Sequence, residues 1–334
     1  MELVKQTAFA RAGLLGNPSD GYNGKTISFC IRNYSAQAVL YEWEDLEIVP
    51  CQEDQSKFES VFHLADDVRL HGYYGGVRLV KATIKKFVEF CRRTGRKLHD
   101  RNFSMRYQTN IPRQVGMAGS SAIIVATLRC LMKFYHVEIP LYLQPSLVLS
   151  VEREELGIMG GLQDRVIQVY EGMVYMDFDK ARMTTDTESG LTYGVYESLG
   201  FDPEIPLYIA FKAEESEPTE ILHNNLRARY DLGDSAVVEG MARFAGFAQA
   251  GKIALQNRDY DRLNELINAN FDLRRQLCRL PQGQVEMIDV ARSCGVSAKF
   301  AGSGGAIVGL CFNADWQKLK SELNAIGCTV IRPN

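Results

Sequence analysis

The sequence predicts an α+β fold built in two halves, and three observations carry that reading. At 334 residues the chain can bury a large core and is longer than one compact domain usually runs. Segments rich in β-branched and aromatic residues alternate with segments whose apolar residues recur at helical spacing. In the second half a strand, several helices, a strand–glycine-turn–strand, a last helix and a last strand follow in the order of a two-layer α+β unit.

The elements follow in order. Residues 26–34 and 36–42 read as strands, and Leu46-Glu47-Ile48-Val49 as a short alternating one. Val77, Val80, Ile84, Phe87, Val88 and Cys91 recur at helical spacing, and Gly95 closes that helix. Phe103, Met105 and Tyr107 alternate as a strand. The helix carrying Ile123, Ile124, Val125, Leu128, Leu131 and Met132 is apolar around most of its circumference, which marks it as buried. Residues 147–156 and 162–170 read as two further helices and 173–178 as a strand. Residues 180–200, dominated by Thr, Asp, Ser and Gly, form the boundary zone that divides 1–200 from 201–334. Beyond it come a strand at 207–211, three helical segments within 217–277, a helix at 283–294, strands around 297–311 and a closing helix and strand.

Composition narrows the function. A formal net charge of -3 argues against nucleic acid or an anionic membrane as the main partner. Eight cysteines are scattered without a CxxC pair, several in apolar runs, as expected of reduced thiols in the cytoplasm. No apolar stretch reaches the roughly 20 residues of a membrane span, and the first residues lack a signal-peptide pattern. The five histidines share no metal-ligand spacing and read as structural.

The strongest local signal is Pro112-Arg113-Gln114-Val115-Gly116-Met117-Ala118-Gly119-Ser120-Ser121-Ala122, running straight into the buried helix. A glycine-rich turn feeding a helix N-terminus aims several N–H groups and the helix dipole at one point, which suits a phosphate. Gly116 and Gly119 are expected to take positive φ and let a ligand approach the backbone. Ser120 and Ser121 offer hydroxyls where a phosphate-bound Mg²⁺ would sit. The plainer alternative is a serine N-cap on an ordinary helix. Val151-Glu152-Arg153-Glu154-Glu155 supplies carboxylates for a metal, or for nothing more than a solvated helix face. Asp164 follows Gly160-Gly161 at a helix start, where the dipole alone would also favour it.

Two more segments complete a set: Ala10-Arg11-Ala12-Gly13-Leu14-Leu15-Gly16-Asn17-Pro18-Ser19-Asp20-Gly21-Tyr22 and Lys299-Phe300-Ala301-Gly302-Ser303-Gly304-Gly305-Ala306. In this order the three resemble the motifs of the GHMP kinases, named for galactokinase, homoserine kinase, mevalonate kinase and phosphomevalonate kinase. Gly16-Asn17-Pro18-Ser19-Asp20, Gly72-Tyr73-Tyr74-Gly75-Gly76-Val77-Arg78-Leu79, Asn110-Ile111-Pro112-Arg113-Gln114 and Gly161-Leu162-Gln163-Asp164-Arg165-Val166 resemble the glucuronokinase branch, which phosphorylates D-glucuronate at its anomeric oxygen.

The resemblance implies an N-terminal domain like domain 2 of ribosomal protein S5 and a ferredoxin-like C-terminal domain. It implies ATP as co-substrate with Mg²⁺, a sugar acid as acceptor, and a monomer or homodimer without nucleic-acid or membrane partners. The product, 1-phospho-α-D-glucuronate, would feed UDP-glucuronate synthesis. Pro112, Gly116, Met117, Ala118, Gly119, Ser120, Ser121 and Ala122 then hold nucleotide, and Ser121 with Glu152 holds the metal. Asp164 matches the catalytic aspartate and Arg11 the arginine that galactokinase places beside it; a cation there keeps the carboxylate ionised. Arg11, Asn17, Asp20, Asp164, Gly302, Ser303 and Gly304 are expected at the sugar. Where galactokinase has a Glu-His pair, Asn17 and Pro18 stand here. The lost carboxylate suits an acceptor that is already anionic. Arg274, Arg275 and Arg113 are the candidate readers of the sugar carboxylate, Arg274 and Arg275 matching a basic pair of related sugar kinases and Arg113 being equally placed for phosphate. The alternatives are another sugar kinase of this family, for galacturonate, galactose or a heptose phosphate, and a non-catalytic sensor of sugar or nucleotide.

Overall fold

The structure, a computed structural model, describes residues 2–51, 54, 75–212 and 226–334. Gly72-Tyr73-Tyr74, His63, His71 and His223 lie outside the described residues.

The first half is a sheet with helices packed against it. Strand β1 (Leu3–Leu15) runs antiparallel to β2 (Lys25–Trp43), with the single helical turn Ser19–Tyr22 between them. The two strands expected at 26–34 and 36–42 are therefore one. The β1–β2 register jumps between Phe9 and Ala10 and again between Gly13 and Leu15. β3 (Glu47–Val49), β4 (Asn102–Thr109), β5 (Met173–Asp177) and β8 (Val195–Ser198) complete the sheet in the order β3-β4-β2-β5-β8, with β1 on the other edge of β2. A small hairpin, β6 (Thr184–Thr185) and β7 (Thr192–Tyr193), stands apart.

Helix α1 (Gly76–Arg93) ends before Gly95, whose φ of 66° supplies the left-handed residue that stops it. Helix α2 (Gly119–Phe134) is buried on nearly every face, as its composition predicts, and packs against β1, β2 and α1. Helix α3 (Gln144–Ser150) was expected to run on to residue 156. Instead it passes into a π-type turn, Val151–Glu155, before α4 (Leu162–Tyr170). The widened turn carries Glu152 inward while Arg153 and Glu154 stay exposed.

The second half holds β9 (Leu207–Phe211), β10 (Lys299–Phe300), β11 (Ala306–Leu310) and β12 (Thr329–Ile331) in the order β10-β11-β9-β12, all antiparallel. Its helices are α5 (Ser235–Gln256), α6 (Tyr260–Leu277), α7 (Gln282–Ser293) and α8 (Trp316–Ala325), with helical residues at 226–231. Asp234 and Asp259 start α5 and α6 by accepting from backbone N–H groups one turn on. One apolar core runs through both halves, joining Leu14, Phe29 and Ile124 to Ile209, Ala301 and Val308. The halves are thus held together at the motif segments. Among the described residues no helix is long and apolar enough to cross a membrane. All eight cysteines are free thiols.

Candidate active site

Arg11 sits on β1 between the two register jumps, which turn its side chain away from the regular alternation. It is 6% exposed and grips Asp164 through two parallel hydrogen bonds, Nε to Oδ1 at 2.7 Å and Nη2 to Oδ2 at 2.6 Å. This bidentate fork is the strong form of the pair. Asp164 keeps 22% of its side chain exposed, so the held carboxylate remains accessible from outside. The remaining guanidinium nitrogen of Arg11 donates to the Gly116 carbonyl and, at 3.5 Å, to the Ala301 carbonyl. One side chain therefore touches all three motif segments.

The two glycine turns pack backbone against backbone. A Cβ at Gly302 would lie 2.5 Å from the Gly116 oxygen, one at Gly116 2.7 Å from the Gly304 oxygen, and one at Gly305 2.9 Å from the Val115 Cα. No other residue permits so close a crossing. The positive-φ residues of the phosphate turn are Gln114, at 58°, Gly116, at 70°, and Ala118, at 59°. Gly119 was expected among them, but it is the first residue of α2 and helical. A Cβ there would meet nothing nearer than Ile111 Cγ2 at 3.6 Å. The space beside Gly119 is thus open, and Gln168 Nε2 anchors the preceding Ala118 carbonyl at 2.8 Å.

Ser121 is buried at the start of α2 with its Oγ donating to Glu152 Oε1 at 3.1 Å. A hydroxyl and a carboxylate beside an anion-binding turn are hard oxygen donors of the kind Mg²⁺ takes, so the pair fits the metal the sequence calls for. Glu152 is also bound by the buried Arg165 through Nε and Nη2. Burial raises its pKa, against the pull of Arg165. Arg165 Nη1 donates to the Gly161 carbonyl at 2.8 Å and lies 3.6 Å from Asp164. Arg165 so links Glu152 to Asp164. Sequence reading overlooked it, although a second cation directly after Asp164 was there to be noticed.

The first motif folds over this network. Asp20 lies tight against Gly161, where a Cβ would collide with its Oδ2. Burial and the nearby Asp164 carboxylate push its pKa up to about 7. Asn17, expected at the sugar, is buried: its Oδ1 accepts from Lys299 Nζ at 2.7 Å and its carbonyl from Asn270 at 3.2 Å. Lys299, also overlooked, is buried and donates further to the Gly13 and Phe300 carbonyls at 2.6 and 2.7 Å. Its burial, with Arg274 and Arg11 nearby, depresses its pKa well below the usual lysine range.

Of the three candidate arginines, Arg274 is committed to the backbone. It is buried and spends Nη1 and Nη2 on the Gly302 and Ser303 carbonyls, each at 2.8 Å. It holds the third motif's turn in shape, and neither terminal nitrogen is left uncommitted. Arg275, its rival, is exposed on the outer face of α6 and approaches Asp289 at 3.8 Å. Arg113 remains exposed in the phosphate turn. Among the described histidines, His99 meets Phe134 edge-on, lies tilted against Tyr135 and is bonded to the Phe134 carbonyl at 2.8 Å, a structural role.

A helix N-terminus behind one glycine turn, a second turn crossing it, and an arginine-held aspartate between them define a small-molecule phosphotransferase site. Residues 78–172 match the GHMP kinases N terminal domain and residues 252–327 the GHMP kinases C terminal. The chain belongs to the GHMP kinase family. It is 45% identical over 317 residues to the probable glucuronokinase 2 of Arabidopsis thaliana, covering 92% of this chain and 84% of that one. Glucuronokinase 1 of the same organism is 43% identical over 315 residues, covering 92% and 85%. The solved structure of a Lin0012 protein from Listeria innocua superposes with a TM-score of 0.80 at 16% identity, covering 100% of this chain and 98% of that one, a likeness of fold alone.

Proposed function

We propose that this protein transfers the γ-phosphoryl group of ATP to the anomeric C1 hydroxyl of D-glucuronate, giving 1-phospho-α-D-glucuronate and ADP. The observation that carries the reading is the Arg11–Asp164 fork set at the crossing of two glycine turns. The similarity to two glucuronokinases over 92% of the chain supports the choice of sugar.

The residues divide the work as phosphoryl transfer requires, by positioning and charge stabilisation. The N–H groups at the start of α2 cradle the phosphates. Ser121 and Glu152 would hold Mg²⁺, which when bound neutralises charge on the β- and γ-phosphates. Asp164, held by the Arg11 fork, accepts the proton of the C1 hydroxyl as that oxygen attacks phosphorus. The O1–P bond forms as the bond from γ-phosphorus to the β-bridging oxygen breaks, and the electron pair leaves with ADP. Asp20, beside Gly161, faces the sugar hydroxyls.

The test is ADP release from Mg·ATP with D-glucuronate, D-galacturonate, D-galactose, D-glucose and a heptose phosphate, with the product's phosphorus site read by NMR. Turnover on glucuronate with a C1 phosphate is the expected outcome. Preference for another sugar overturns the substrate, and no ADP release with any sugar leaves the non-catalytic sensor.

A further inference from the structure

With Arg274 and Arg275 placed elsewhere, the group that recognises an acidic acceptor has to be sought again. The cations of the motif segments are already committed. Arg11 holds Asp164, Arg165 holds Glu152, Arg274 holds the third turn and Lys299 holds Gly13 and Asn17. Arg113 stands on the phosphate turn, the end of the site that the triphosphate needs.

Arg227 sits instead at the sugar motif. It donates from Nη2 to the Gly21 carbonyl, next to Asp20, and its guanidinium lies over the Tyr22 ring at 4.5 Å. Tyr22 is backed in turn by Tyr230, with ring centroids 4.8 Å apart. Two contacts therefore fix the guanidinium plane at the edge of the first motif. Among the described residues its carboxylate neighbour is Asp231, 3.8 Å from Nη1 in an exposed i,i+4 pair, a hold too weak to occupy the fork. The line from chemistry to cation is short. Asp164 and Gly161 share the start of α4, Gly161 touches Asp20, and Gly21 carries Arg227.

We infer that Arg227 is the specificity-determining residue that reads the carboxylate of the acceptor sugar, at the end of the ring opposite the hydroxyl facing Asp164. The inference rests on the proposed glucuronate activity. A pyranose acid with its C1 hydroxyl at Asp164 and its ring hydroxyls at Asp20 carries its C6 carboxylate toward Gly21. A partly exposed guanidinium that is already oriented loses little entropy on binding it and offers two parallel hydrogen bonds. The neutral side chains of Asn17 and Pro18 keep the first motif from repelling that charge.

The experiment compares kcat/KM for D-glucuronate and D-glucose in the unmodified protein, in Arg227→Gln and in Arg227→Lys. Loss of one charge-assisted contact is expected to lower the glucuronate-to-glucose ratio by about 10- to 150-fold in Arg227→Gln. The glucose value and the ATP KM should stay put, and Arg227→Lys should recover part of the ratio. An unchanged ratio overturns the inference. So does an equal fall on both sugars, which would mean that Arg227 only steadies Gly21. If the unmodified protein does not use glucuronate at all, the proposed function fails first and is seen to fail separately.

Discussion

At the scale of single residues, the site is a set of charges arranged to keep one carboxylate ready. Arg11 gives Asp164 two short hydrogen bonds, and Arg165 stands 3.6 Å away on the other side. Asp164→Asn keeps the shape and removes the proton acceptor, so kcat should fall about 10²- to 10⁴-fold while the thermal midpoint changes little. A variant that keeps more than about a tenth of kcat would remove Asp164 from the proton transfer. Asp20 makes a pH prediction. Its folded pKa, raised to about 7, exceeds the unfolded value of about 4, so the native state binds the extra proton between those limits. Its contribution is fully present below about pH 4 and is lost as pH rises through 7. Asp20→Asn should therefore gain stability relative to the unmodified protein as pH climbs from 4 to 7. Thermal midpoints of the two proteins across that range, without ligand, are the check, and parallel curves would refute it.

At the scale of elements, two glycines in one turn have different jobs. Gly116, at φ 70° and pressed on the Gly304 carbonyl, serves the crossing of the loops. Gly119, in the proposed function, serves the ligand, since its missing Cβ leaves open space at the start of α2. Gly119→Val should raise the ATP KM or abolish activity with the ligand-free midpoint nearly unchanged. Gly116→Val should lower the midpoint by several degrees, because a β-branched residue at positive φ is strained and has no room. If both variants melt alike, the division is wrong. The π-type turn after α3 belongs to the same scale. A regular helix through Val151–Glu155 would not hold Glu152 at Ser121 in this way, and widened turns of this kind recur at functional sites.

At the scale of the whole molecule, the two halves meet through buried polar contacts at the motifs. Lys299 comes from the second sheet and bonds Gly13 and Asn17 of the first half, Asn270 of α6 reaches Gly16 and Asn17, and Gly13 donates to Ala301. Lys299→Met should leave the Gly13 and Asn17 oxygens buried without that donor, at about 1–3 kcal/mol each. Denaturant unfolding should show the loss, together with a higher KM for the sugar, because the first motif is no longer pinned. A variant as stable as its parent would mean that Lys299 adds nothing to the joint between the halves.

What the sequence by itself determined were the local things. The glycine turn entering an apolar helix, the alternation of β4, the span of α4 and the strand–turn–strand at residues 297–311 are all written in neighbouring residues. Arg11, Asp20, Ser121, Glu152 and Asp164 stood out as candidates once three motifs stood in order. Tertiary structure decided which charges meet. Arg11 and Asp164 lie 153 positions apart, Lys299 and Gly13 286, and nothing in the spacing of either pair announces a hydrogen bond. Arg274 shows why this matters most for arginine. On the sequence it is one cation of an Arg-Arg pair, fit for a ligand or for solvent. Only the fold shows it sunk beneath the third motif, where buried carbonyl oxygens need donors and an arginine supplies two at once. Partners of buried polar groups are chosen by the whole packing, because each must be satisfied wherever the chain happens to bring it.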